Sequence, residues 1–251
     1  MAINPESLGA KAVLLDIEGT TTPVAFVFDV LFPYARNHLK DYLAQNFKTP
    51  DMQSMLQTLR KEHETDVVKW AEPPHWDNTS ESAEMRTVTL YLLWLMDKDR
   101  KSPALKRLQG KIWEGGYRSK ALQGEVYPDV PPALKRWTER GLQVYIYSSG
   151  SVLAQKLLFG NLKDGDLIRY FRGFFDTRMG PKNAPESYRK IAKETRHAPK
   201  EILFISDQEK ELKAARQSGL HTLLCIRQTQ PFENPDTEQT STTIKTFDEI
   251  D

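Results

Sequence analysis

A single cysteine, Cys225, gives these 251 residues no partner for an internal disulfide, which suits a reducing compartment and leads us to expect a cytoplasmic protein. No stretch approaches the roughly 18 consecutive apolar residues of a membrane helix. The start, MAINPESLGAK, lacks the basic and apolar regions of a secretory signal. Neither sign of charge dominates. Lys+Arg number 35 and Asp+Glu 34, a formal net charge of +1, so nothing argues for nucleic acid or an anionic membrane as a partner. Repeats and low-complexity tracts are absent too, and a hydrophobic share of 39% is too high for disorder. A soluble globular chain is left, long enough to bury a core and, at this size, compatible with a monomer.

What is present begins with short apolar runs that end in polar groups. Lys11-Ala-Val-Leu-Leu-Asp16 is continuous rather than alternating, the mark of a strand buried on both faces of a parallel sheet. Leu142–Tyr147 runs into Ser148-Ser149-Gly150, Glu201–Ser206 into Asp207, and His221–Ile226 into Arg227. Helical patterns fill the intervals at Pro132–Arg140, Val152–Phe159, Glu186–Thr195 and Glu209–Gln217. Strands alternating with helices predict an α/β fold with a Rossmann-like parallel sheet, whose ligands bind beyond the carboxyl ends of the strands.

The stretch between the first two strands is different. It offers helices near Phe26–Phe47 (interrupted by Pro33), Asp51–Trp70, Ser82–Asp97 and Ser102–Trp113, and no strong strand. About a hundred helical residues are too many for a crossover. We therefore expect an all-helical cap over residues 23–123, inserted after the first strand of a core made of 1–22 and 124–251. Most of its Phe and Met residues read as core, and His63 and His75 lack metal-ligand spacing. The polar stretch Gln228–Thr243 reads as loop.

The chemistry concentrates at the strand ends. Asp16-Ile17-Glu18-Gly19-Thr20 sets two carboxylates two residues apart on a tight turn, where they repel unless a cation intervenes. Hard oxygen donors of this kind suit Mg²⁺, one ion per subunit. Asp16 is placed as a nucleophile and Glu18 as an acid or base, although so short a string also serves as an ordinary turn. Ser148 and Ser149, at a strand-to-helix junction, suit an anion, and serine there also serves as a helix cap. Lys182, just ahead of a helix, can balance a phosphate and a nearby carboxylate, or sit in solvent. Asp207 is a third metal ligand beside Asp16 and Glu18, or a cap for the helix that begins near Glu209.

In order along the chain these groups are acid pair, hydroxyl, lysine and acid. That order, on alternating strands and helices, resembles the haloacid dehalogenase superfamily of aspartate-nucleophile phosphotransferases. The resemblance implies that Asp16 is the nucleophile, that Ser148 and Lys182 hold phosphate, and that Asp207 is the acidic residue of the last motif. The chain departs from the usual pattern in having Glu18 two residues after the nucleophile, where phosphatases of the family carry Asp. In metal sites of the family that position commonly ligates through its backbone carbonyl, which would free the Glu18 carboxylate for proton transfer. The strings DIEGTTTP, LFPYA, LQGKIW, VYPDV and IYSSGSVLAQKLLFG are similar to one branch of the family. That branch implies a phosphorylated diketone substrate, enolised and then hydrolysed. The alternative is a capped phosphatase of the same family acting on another small phosphomonoester. The base for the enolisation and the role of Glu211 stay open.

Overall fold

The computed structural model describes residues 3–69, 71–163, 165–227 and 242–251. By its internal contacts the chain divides into two compact units, Met1–Val27 with Gln123–Asp251, and Phe28–Leu122.

The first unit is built on a six-stranded parallel sheet. Its strands are β1 (Ala12–Leu15), β2 (Gln143–Tyr147), β3 (Phe171–Phe175), β4 (Ile202–Ser206), β5 (His221–Cys225) and β6 (Thr242–Ile244), in the spatial order β3-β2-β1-β4-β5-β6. All six are parallel. β1 is central and wholly buried, which explains why its four residues are apolar without alternation. Leu15 lies level with Ile146 of β2 on one side and Ile205 of β4 on the other. The next residues of the three strands, Asp16, Tyr147 and Ser206, therefore emerge side by side at the carboxyl edge.

Two strands escaped the sequence reading. β3 (FRGFF) carries an arginine and a glycine, and β6 lies partly in the stretch read as loop. The rest of that stretch, 228–241, lies outside the described residues. The helices of this unit are Val130–Glu139, Val152–Gly160, Pro185–Thr195 and Glu209–Gln217, each within two residues of its expected limits. On one face of the sheet Ala12, Leu14, Tyr145, Tyr147, Ile202 and Phe204 pack against Tyr188, Ile191, Leu212 and Ala215 of the last two helices.

The second unit is helical: α1 (Phe32–Asn46), α2 (Pro50–Val68), α3 (Glu81–Asp97) and α4 (Pro103–Arg118). Thr49, Ser80 and Ser102 cap the last three with their hydroxyls, each cap contributing about 0.5–2 kcal/mol. Pro33 does not end the first helix as a plain break. It has no N–H to give the carbonyl four residues back, and the chain before it, Phe26–Leu31, winds as a π-helix. Met52 and Met55 are core, as is His63, whose Nε2 meets the Pro74 carbonyl at 2.7 Å. Phe28 is exposed, and Phe32 stacks on Trp113. Among the described residues no helix is long and apolar enough to cross a membrane. With the core helices above taken in chain order, Val130–Glu139 is α5, Val152–Gly160 α6, Pro185–Thr195 α7 and Glu209–Gln217 α8.

Candidate active site

Asp16 follows β1 directly, and its N–H continues the ladder by one bond to the Ile205 carbonyl. The chain then turns tightly. The Ile17 carbonyl accepts from the N–H groups of Thr20, Thr21 and Thr22 at 2.9–3.1 Å, and Gly19, with φ +75°, takes the left-handed conformation the turn requires. The Asp16 carboxylate is buried and held on both oxygens. Oδ1 accepts from its neighbour Ile17 N–H at 2.7 Å and lies 2.5 Å from Lys182 Nζ, while Oδ2 accepts from the Ser206 hydroxyl at 3.2 Å.

Lys182 reaches this point from the loop ahead of α7. Its carbonyl accepts from the Tyr188 hydroxyl at 2.6 Å, and the Gly180 carbonyl two residues earlier accepts from the Tyr147 hydroxyl at 2.9 Å. The Lys182 side chain is 10% exposed, and its ammonium bridges two carboxylates, Asp16 and Glu211, the latter at 2.7 Å. Burial alone pulls its pKa down, but the charges of Asp16, Glu211 and Glu18 outweigh that, so the group is held well above the ordinary lysine range and stays charged.

Glu211 sits in the first turn of α8 and closes the cluster, its carboxylate accepting from the Ser206 hydroxyl at 3.1 Å. Burial and then the Asp16 charge push it up to about 7, and the same two causes push Asp207 up to about 7. Asp207 does not cap α8. Gln208 takes that place, and its N–H donates to Ser206 Oγ. Ser206 thus joins Asp16, Glu211 and the start of α8, a role no sequence pattern announced. Glu211, whose role the sequence leaves open, lies five residues beyond Ser206 in the first turn of α8, and it is the fold that brings its carboxylate to Lys182.

Glu18 points elsewhere, with its carboxylate oxygens 3.3 and 3.4 Å from the Ser148 hydroxyl that donates to them. Burial first, and Asp16 second, raise its pKa. Ser148 is fully buried and also accepts from the Gly150 N–H at 3.0 Å, so in this arrangement that amide is turned to Ser148. Ser151, not Ser148, caps α6, which leaves Ser148 to the site. Ser149 is exposed.

The structure therefore joins Asp16 to Lys182 and Glu18 to Ser148, with Asp207 one residue beyond the serine that holds Asp16. It does not gather Asp16, Glu18 and Asp207 into a finished ligand set: among the described residues no three acidic, histidine or cysteine side chains stand so. The donor chemistry nevertheless fits a hard divalent cation. Asp16 and Glu211 both meet Lys182, and Glu18 and Asp207 lie near enough to feel its charge. Mg²⁺ needs only one or two protein carboxylates, completing its shell with water and substrate oxygens. Elsewhere in the unit Cys225 is buried, and its thiol is pushed up to about 12 by that burial.

The model of the haloacid dehalogenase-like hydrolases matches residues 10–219. A protein of Synechococcus elongatus named enolase-phosphatase E1 is 46% identical over 98% of this chain and all of its own. A zebrafish (Danio rerio) protein of the same name is 43% identical over 86% of this chain and 85% of its own. Among solved structures, the UTR4 protein of Saccharomyces cerevisiae superposes with a TM-score of 0.76 at 32% identity, covering 95% of this chain and 99% of that one.

Proposed function

Since the chain belongs to the haloacid dehalogenase-like hydrolases and, within them, to the enolase-phosphatases E1, we propose that it converts 2,3-diketo-5-methylthiopentyl-1-phosphate into the acireductone 1,2-dihydroxy-3-keto-5-methylthiopentene and phosphate, a step of methionine salvage. The observation that carries the residue roles is the pairing of each carboxylate of the turn with a donor at one sheet edge: Lys182 Nζ 2.5 Å from Asp16, and Ser148 Oγ 3.3 Å from Glu18.

The roles follow from what each group is able to do there. An Asp16 carboxylate oxygen attacks phosphorus, and the bond from phosphorus to the substrate's C1 oxygen breaks. Lys182 orients the nucleophile and, with Ser148 and Ser149, balances charge on the transferring phosphoryl oxygens. Glu18 protonates the departing oxygen. A water then attacks phosphorus, Glu18 accepts its proton, and the bond to Asp16 breaks to release phosphate. Asp16, Glu18 and Asp207 would hold Mg²⁺, which when bound supplies charge neutralisation for the phosphate and polarises the neighbouring carbonyl. In this reading residues 1–22 and 124–251 are the catalytic core and 23–123 a cap. The protein is cytoplasmic and monomeric, with neither nucleic acid nor membrane as partner.

The test follows ultraviolet absorbance and phosphate release together on the diketone phosphate, with Mg²⁺ and then with chelator. Enol absorbance and phosphate rising together, both abolished by chelator, is the expected result. Phosphate released from simple esters while the diketone stays untouched would replace the substrate and leave the phosphatase.

A further inference from the structure

Below the catalytic turn lies an ion pair that the mechanism does not use. Arg227 follows β5 and is 4% exposed. Its Nε and Nη2 both donate to the Thr20 carbonyl, at 3.0 and 2.6 Å. Its Nη1 donates to Asp129 Oδ2 at 2.6 Å and to the Lys245 carbonyl at 3.2 Å. The same Asp129 oxygen accepts from the Phe247 N–H at 2.6 Å. The rings of Tyr127 and Phe247 lie 4.3 and 4.7 Å from the guanidinium carbon. All of these residues belong to the sheet-bearing unit.

We propose that Arg227 is a positioning residue that fixes the Asp16–Thr22 turn, and through it the placement of Glu18 against Asp16 and Ser148. The argument is geometric. Two donors of one rigid fork converge on the Thr20 carbonyl oxygen, which restrains the orientation of the Thr20 peptide. Thr20 is wholly buried, and its N–H belongs to the set that returns to the Ile17 carbonyl. The next carbonyl, Thr21, accepts from Tyr127 N–H at 3.0 Å, the residue whose ring covers Arg227. Gly19 N–H bonds back to the Thr22 carbonyl at 2.8 Å, so a tilt of the Thr20 peptide is passed to residue 18 through one short loop. A lysine retains the charge but has no fork, and cannot hold the Thr20 carbonyl and Asp129 in one plane.

The proposal rests on the phosphatase reading for its kinetic arm only. In Arg227→Lys, kcat per folded molecule should fall about tenfold or more with KM moving less than about threefold, since misalignment of a placed group costs rate before binding. A kcat within about twofold of wild type overturns the proposal. The second arm needs no turnover. In the wild-type chain the Thr20–Thr22 amides should exchange with solvent as slowly as those of β1, and in Arg227→Lys about tenfold faster or more while β1 stays protected. Fast exchange of these amides in wild type, or unchanged protection in the variant, overturns it. Should Arg227→Lys not fold, Asp129→Asn is read by the same two measures and the wild-type exchange still decides. A wild type without turnover on any ester defeats the phosphatase reading and leaves the exchange result standing.

Discussion

At the scale of single residues, the cluster is an arrangement in which each carboxylate is tolerable only because of its neighbours. Lys182 is the cation that Asp16 and Glu211 share. Lys182→Met should therefore cost stability as well as rate. Two buried carboxylates lose their counter-ion, and breaking a buried pair from one side costs about 3–5 kcal/mol. Denaturant melts in the presence of EDTA check this, and an unchanged midpoint would refute it. Asp16→Asn is nearly the same shape and keeps a hydrogen-bond partner for Lys182. It should fold normally yet release phosphate slower by about three orders of magnitude or more, having no nucleophile. Near-wild-type turnover in that variant would end the nucleophile assignment. Asp16, Ser148, Lys182 and Asp207 stand out in the sequence as candidates because each is a polar residue at the end of an apolar run or the start of a helix. Ser206 was not, because its value lies in reaching Asp16 across 190 positions, and nothing local encodes that.

Among the elements, legibility followed burial. The four central strands are shielded on both faces, so they read as unbroken apolar runs. Among the described residues the sheet's edges are β3 and β6. An edge strand tolerates arginine, glycine and threonine, and so FRGFF and TTI carried no strand signature. The helices were legible within a residue or two where caps or glycine stops marked them. The loop before α7 shows how an element delivers a functional group. Gly180 has φ +132°, and a Cβ there would stand 2.3 Å from Ser187 Oγ, the hydroxyl that bonds the Pro181 carbonyl. Gly180→Ala should cost about 1–3 kcal/mol in backbone strain. Because the displaced loop carries Lys182, kcat should fall as well. A variant with lowered melting temperature and untouched kcat would separate the loop's stability from its positioning role.

For the molecule as a whole, the buried thiol gives a pH dependence whose sign can be worked out. Cys225 has a folded pKa near 12 against about 8.5 in an unfolded chain. The folded state therefore holds this proton more tightly. Its contribution is complete below the unfolded value and is lost as pH rises toward the folded one. Comparing wild type with Cys225→Ala by urea melts should give wild type the steeper alkaline decline, by up to about 1.4 kcal/mol per pH unit above about 8.5. Parallel curves would refute it. The folded protein should also resist thiol reagents at pH 8, with one thiol appearing on unfolding.

The central position of β1 also has a consequence in time. β1 is made early, yet the strand that flanks it on the far side, β4, ends at Ser206. At about 5–20 residues per second, a ribosome takes roughly 10–40 s to pass from one to the other. Throughout that interval Ala-Val-Leu-Leu and the acid behind it have no complete sheet to enter, while the helical unit has all of its own chain by Leu122. A nascent chain halted before Ser206 should therefore carry a completed helical unit and no activity at all. Such a chain would keep an apolar strand on offer to chaperones until β4 is made.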